Sequence, residues 1–502
     1  MNKFIQDTVQ NYNKKKRLLF IIIFLTFFLI FFLNFYNFTL FNDGIEYLLI
    51  SENLKENFSL KNITTTEYNK FFHSPQLGST FILTLCKLIM GKYYFILYLI
   101  ILSTLWLNFI LNLKNYYFFK NLSNSFLICF SLLVFFQFDI IRASTSFYNE
   151  GIYFPLFLSS FIALDNLIEK NIKLNFQNQI NIYLFFIIGP FLQIFHFFIL
   201  LSFLIIFIIN LTKKNILKKT YILFLISIIS TLIYYLYYNY LTKNGLNVTN
   251  FDSSEIKNNI YNLSYNFQKF FNVFVTPFNL HLLFTNFKVV QSNIFNYSLL
   301  EIFISIFLFL IFIYSMKINF KFNNFHILVI LLIFFSFVSK LLIVDYDVRY
   351  NIYTNFFILF YFLLIIEKIL VKSIFIRFLL IVFIIFTCGY NFKNFFNLNI
   401  NEISSKNENY SKNKKTLTHL KLLKKVKHDQ NLKNINKFDL IITSINPRIV
   451  YQVFKTQSCY IKDINNCTLS NDKLYFLIIS EKEKDYLEGI NYNDSNMIKY
   501  IY

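Results

Sequence analysis

The sequence predicts an α-class, polytopic membrane protein of about eleven spanning helices. A helix lying on the outer membrane surface and a small C-terminal α/β domain complete the expectation. Three observations carry it. The chain is 56% hydrophobic and 21% aromatic, with a mean hydropathy of +0.49. Its apolar residues come in blocks near the length that crosses a bilayer. Its lysines gather in the short links between those blocks, as the positive-inside rule asks.

The blocks fall near 18–40, 77–90, 93–113, 125–141, 151–168, 180–195, 196–211, 220–241, 298–316, 325–344, 351–367 and 373–391. The first is too long for a cleavable signal and has no small-residue cleavage pattern after it. It reads as a retained anchor whose flank, Lys14, Lys15, Lys16 and Arg17, stays in the cytoplasm.

The block 77–90 is too short to span and Lys87 interrupts it, so it reads as an amphipathic juxtamembrane helix. Charge tests that reading. With 77–90 outside the count of spans, Lys114, Lys170, Lys213, Lys317 and Lys368 all fall on the cytoplasmic side. Counting it as a span puts every one of them outside, against the rule. The stretch 180–211 poses a similar question of parity. As one helix it would be about 48 Å long, more than a bilayer needs. Gly189-Pro190 supplies a break, giving two short helices that meet on the outer side near Gln193 and His196.

This topology leaves a transmembrane domain at 1–391 and an extracytoplasmic domain at 392–502. In the latter, Phe438–Phe454 reads as a strand, a turn at Asn446-Pro447 and a helix; Lys473–Ser480 reads as a second strand. Cys86, Cys129 and Cys388 sit in apolar segments as packing residues. Cys459 and Cys467 can pair if the tail lies outside the cytoplasm, which spacing leaves open. The net charge of +21 does not point to nucleic acid, because the lysines sit in membrane links and in the tail.

The chemistry-bearing residues lie where this topology puts the outer side. Asp43 and Glu46 follow the first apolar block in "FNDGIEYLLISENL". Asp43 can simply cap a helix beginning near Gly44. Further along come "FFHSPQLGSTFILTLCKLIMGK" (Phe71–Lys92), "RASTSFYNEGIYFPLFL" with Glu150, and "VDYDVRY" with Asp345, Asp347 and Arg349. Ionisable residues at membrane depth are functional candidates. Six scattered histidines and no Cys/His pair at ligand spacing give no metal site.

In their order, spacing and sidedness these segments resemble the GT-C glycosyltransferases, in particular the protein mannosyltransferase and aminoarabinose-transferase branch. "NDGIEYLLISENL" is similar to that family's first-loop motif, and "HSPQLGSTFILTLCKLIMG" to its His/Pro stretch and juxtamembrane helix. "YNEGIYFPLFLSSFIALD" is similar to the segment with a second acid, and "VRYNIYTNFFILFYFLL" to a late helix opening on Arg-Tyr. The likeness covers about residues 1–391. The chain departs from the family pattern at Ser74-Pro75, at Glu150 where Asp is common, and at His196, which is followed by Phe.

The resemblance implies a cell-envelope glycosyltransferase of the cytoplasmic membrane. It would move one sugar, with inversion, from a polyprenyl-phosphate donor to a lipid, glycan or protein acceptor on the outer side. Asp43 is then the candidate general base and Glu150 a second acid that orients the acceptor or assists. Lys92 and Arg349 are the candidate cations for the departing lipid phosphate, set against ordinary snorkelling at the interface. His73 and His196 are further candidates for substrate binding. No cofactor is implied, and Asp43 with Glu150 leaves a divalent metal open. A lipid-linked polysaccharide polymerase or ligase is the alternative, against which the scarcity of arginine speaks. A flippase or transporter comes last, because most span centres carry no charge.

Overall fold

The computed structural model describes residues 42–58, 77–116, 147–170, 176–193, 196–210, 228–236, 299–319, 324–342 and 352–370, strands at 440–443, 458–460, 475–479 and 497–501, and scattered residues between. These are mostly helical. They fall into two compact units. One is drawn from Leu99–Tyr235 and Thr249–Asn409, the other from Thr39–Tyr98, Leu236–Val248 and Tyr410–Tyr502. The expected spans at 18–40, most of 125–141 and most of 373–391 lie outside the described residues.

The second unit opens with α1 (Asn42–Asn57) and α2 (Gly78–Met90), which pack on each other. In α2, Ser79, Leu83, Cys86 and Lys87 recur at helical spacing and are buried. Leu85, Leu88 and Ile89 on the other face are exposed. Gly91 ends α2 at φ +55°, a left-handed conformation that glycine adopts without a Cβ clash. A 3-10 turn, Gly91–Tyr93, leads into α3 (Tyr94–Asn115).

Among the described residues, the run Gly78–Leu113 is the one stretch long and apolar enough to cross a membrane. Its 36 residues would reach about 54 Å, well beyond the hydrocarbon core, whereas the 22 residues of α3 reach about 33 Å. Four shorter apolar stretches accompany it: His196–Asn210, Ile306–Ile318, Asn324–Ser336 and Tyr353–Ile365.

The same unit holds a parallel sheet of four strands in the order β2-β1-β3-β4. β1 is Leu440–Thr443, β2 Ser458–Tyr460, β3 Tyr475–Ile479 and β4 Met497–Ile501. β1 and β3 fall where the tail's two expected strands were read. β2 and β4 carry no comparable apolar run and escaped notice. Ile441, Ile442, Phe476, Leu477 and Ile478 are all buried, the continuous apolar pattern of strands covered on both faces. Beyond β1, Thr443 Oγ1 accepts from Ile445 N at 2.9 Å and turns the chain. Of the two cysteines, Cys467 lies outside the described residues and the Cys459 side chain is not among those described.

In the first unit, α4 (Asn149–Lys170) is the central helix, with every side chain from Asn149 to Asn166 buried. α5 (Phe176–Leu192) packs along it, and α6 (His196–Asn210) meets α5 and α8. α7 (Leu299–Asn319), α8 (Asn324–Leu342) and α9 (Ile352–Leu370) close the set, α9 packing on both α7 and α8. Phe325 is the hub of the core, with ring centroids 4.9 Å from Phe360, 5.5 Å from Phe357 and 6.0 Å from Phe161. Apolar stripes remain uncovered: Phe303, Phe307, Leu310 and Tyr314 on α7, and Phe176, Ile180, Tyr183 and Ile187 on α5.

The break between α5 and α6 falls near Gln193 and His196 as expected, but Gly189-Pro190 does not supply it. Gly189 and Pro190 both lie inside α5, and the chain turns at Gln193 instead. Pro190 sits in the last turn of α5, where its missing N–H leaves the Phe186 carbonyl without that helical donor. Gly189 has another use, described below.

Polar side chains link helix ends across this core. Tyr116 OH donates to Asp165 Oδ2 at 2.5 Å, and Asn210 Nδ2 donates to Asn324 Oδ1 at 2.6 Å. Asp165 is 1% exposed, so losing this hydrogen bond to a buried carboxyl group is costly. Tyr116→Phe should cost about 1–3 kcal/mol of stability, read by thermal unfolding in detergent.

Candidate functional site

Asp43 is the second residue of α1, which begins at Asn42, two residues earlier than a cap at Asp43 requires. It therefore sits inside the first turn. Its side chain is not among those described. Tyr47, Ile50, Ser51 and Asn53 of the same helix are buried against α2. Glu46 also belongs to α1. His73 lies outside the described residues, as do Asp345, Asp347 and Arg349.

Lys92 belongs to the 3-10 turn and is exposed, its ammonium 5.1 Å from the centre of the Tyr93 ring. Among the described residues the buried lysine is Lys87, 7% exposed. Lys87 Nζ donates to Leu48 O in α1 at 2.7 Å and stands 5.4 Å over the Tyr94 ring. Thr84 Oγ1, one turn earlier, reaches Ser51 O at 3.4 Å. Lys87 thus ties α2 to α1, a role its appearance as an interruption of an apolar block did not reveal. Its spacing of eight residues from Ser79, on the stripe that faces α1, was the available signal.

Lys87→Ala should loosen this hairpin by about 1.5–3 kcal/mol, because a charge-assisted hydrogen bond and the alkyl stem both go. Lys87→Met should be much milder. Cys86, fully buried beside it, reports the change: maleimide should label Cys86 slowly in the native protein and faster in Lys87→Ala.

Glu150 and His196 belong to the first unit. Glu150 is in the first turn of α4 and is 3% exposed. One turn on, Tyr153 OH meets His196 Nδ1 at 2.8 Å. His196 N donates to Gln193 O at 3.0 Å, and Gln193 Nε2 donates to Tyr353 OH, near the start of α9, at 2.5 Å. The rings of Tyr153 and Tyr353 meet edge to face at 5.6 Å, and Phe185 lies 4.8 Å from His196. The beginnings of α4 and α9 and the α5–α6 turn therefore converge at one end of this unit.

The local sequence explains the convergence. Gly151 lets α4 approach residues 143–144 so closely that a Cβ there would lie 2.7 Å from Ala143 O. Tyr148 N donates to that same carbonyl at 3.2 Å. Gly189 does the same for His196, whose Cε1 would lie 2.3 Å from an added Cβ. Phe147, buried, turns the chain into α4 at φ +59°, a strained value for a bulky residue. Tyr153 and Tyr353 were not singled out from sequence, since a Tyr among Phe and Ile carries no spacing signal of its own, and Gln193 was marked only as the place where the two helices meet. Among the described residues no group of His, Cys, Asp or Glu could hold a metal ion.

No protein-family model, no curated protein and no solved structure matches this chain.

Proposed function

We propose that the chain is a membrane glycosyltransferase that moves a sugar, with inversion, from a polyprenyl-phosphate donor to a lipid, glycan or protein acceptor. On this reading the reaction takes place on the outer side of the cytoplasmic membrane, and about eleven helices span the bilayer. The observation that carries it is the place of Asp43: in the first turn of α1, on a hairpin whose second helix, α2, leads through Gly91 into α3, the two together forming the one run among the described residues long and apolar enough to cross a membrane. The uncovered apolar stripes on α5 and α7 support the membrane setting, since such faces are unfavourable in water.

In the proposed reaction Asp43 takes the proton of an acceptor hydroxyl or amine as that atom attacks the anomeric carbon. The bond from anomeric carbon to phosphate oxygen breaks, and polyprenyl phosphate leaves with the bonding pair. Lys92 and Arg349 are the cations proposed for its charge, Arg by a bidentate contact. Glu150 is the acid proposed to orient the acceptor.

The test is Asp43→Asn, with membrane insertion verified, followed by chemical analysis of the cell's glycolipids and glycans. Loss of one terminal sugar with the lipid-linked precursor retained supports the reading. Unchanged sugar transfer removes it.

A further inference from the structure

The turn that bears Glu150 is held from two sides. On one side Gly151 seats against Ala143 and Ser144. On the other, Tyr153, three residues after Glu150 and its neighbour on the helix surface, is held by His196. His196 itself has nowhere to go. Its ring lies over Gly189, with Nδ1 only 2.4 Å from where a Cβ would stand, and the residue is 1% exposed. Its Nε2 has no hydrogen-bond partner among the described residues. A site built only for packing would put Phe or Leu here, because a buried nitrogen without a partner costs stability. The retained strain at Phe147, just before α4, argues the same way.

We infer that Tyr153 is a positioning residue for Glu150, and that His196 acts through Tyr153 rather than on a substrate. The inference rests on the proposed role of Glu150. Tyr153 OH and His196 Nδ1, with Gly189 beneath the imidazole and Tyr353 beside the Tyr153 ring, fix the rotation of the first turns of α4. Small errors in such a placement are costly, since misplacing a reacting group by about 1 Å can cost about 100-fold in rate.

The test uses the full chain in membranes. The donor probe is the lipid-linked sugar fraction that accumulates in cells carrying Asp43→Asn, and rates are scaled to the folded, monodisperse protein. Tyr153→Phe and His196→Ala should each lower kcat about 10- to 100-fold with the donor KM unchanged, and the double variant should be no worse than either. His196→Asn, whose amide nitrogen replaces Nδ1, should recover most of the rate; His196→Gln should not. A normal kcat in Tyr153→Phe, or additive losses, overturns the inference. A second measurement needs no activity. Gly189→Ala should lower the unfolding midpoint, and adding His196→Ala should restore it by removing the clash; no restoration overturns the lock. Unchanged sugar transfer in Asp43→Asn cells overturns the proposed reaction itself. Lost transfer there with a normal Tyr153→Phe overturns only the positioning role.

Discussion

Asp43→Asn should lower sugar transfer about 10²- to 10⁴-fold, the range general-base catalysis supplies. The asparagine keeps the size and the hydrogen-bonding capacity of the carboxylate but cannot take a proton. Inside the first turn the loss of the carboxylate forfeits only about 0.3–1 kcal/mol of interaction with the helix dipole, so α1 should form and the hairpin should pack as before. Insertion and unfolding temperature should therefore match the native protein while the product disappears. Asp43→Glu keeps the base but lengthens it by one methylene, and should fall between the two. Glu46→Gln provides the contrast. It lies in the same helix and should leave transfer within about threefold, a small fraction of the effect expected for general-base loss. The readout is the ratio of glycosylated product to retained lipid-linked precursor. Equal losses at Asp43 and Glu46 would mean a general effect of charge on the loop and not a base.

Gly151→Ala should destabilise the first unit by about 1–3 kcal/mol, although alanine is the better helix former. In an exposed helix interior the same change gains about 0.5–1 kcal/mol. Here the new methyl would stand 2.7 Å from Ala143 O and 2.8 Å from Ser144 Cα. Both are backbone atoms, so no side chain can swing away to relieve the contact. Either α4 or residues 143–144 must move, and the hydrogen bond from Tyr148 N to Ala143 O moves with them. The loss outweighs the helical gain, and thermal unfolding in detergent should show a lower midpoint. Since Gly151 follows Glu150 directly, transfer should fall further than the loss of folded protein explains.

The long apolar helices were legible because their signal is additive. A run such as Leu299–Asn319 declares itself whichever face it buries. The tail's strands at Leu440–Thr443 and Tyr475–Ile479 were legible for the same reason, while Ser458–Tyr460 is too short and too polar to stand out. The meeting of α5 and α6 near Gln193 and His196 was legible, but not its cause, since Gly189-Pro190 lies inside α5. Local propensity points to Gly189-Pro190, but tertiary contact decides, because the glycine is needed where the imidazole lies. The candidate site divides in the same way. Acids near helix ends were visible as exceptions in apolar surroundings, and Glu150 does sit in the first turn of α4. The partners of His196 were not visible. Tyr353 is 157 positions along the chain from it, and only folding reveals that the two share a neighbour in Gln193.

The make-up of the second unit has a consequence for biosynthesis. Its pieces, Thr39–Tyr98 and Tyr410–Tyr502, lie roughly 300 residues apart in the chain, so at ribosomal speed about 15–60 s separates their emergence. For that interval the early piece stands without the late one. Any chain released before the tail is made carries a first loop that has lost the rest of its unit. A premature stop in the last fifth of the gene would remove the four-stranded sheet and leave α1 and α2 without the rest of their unit.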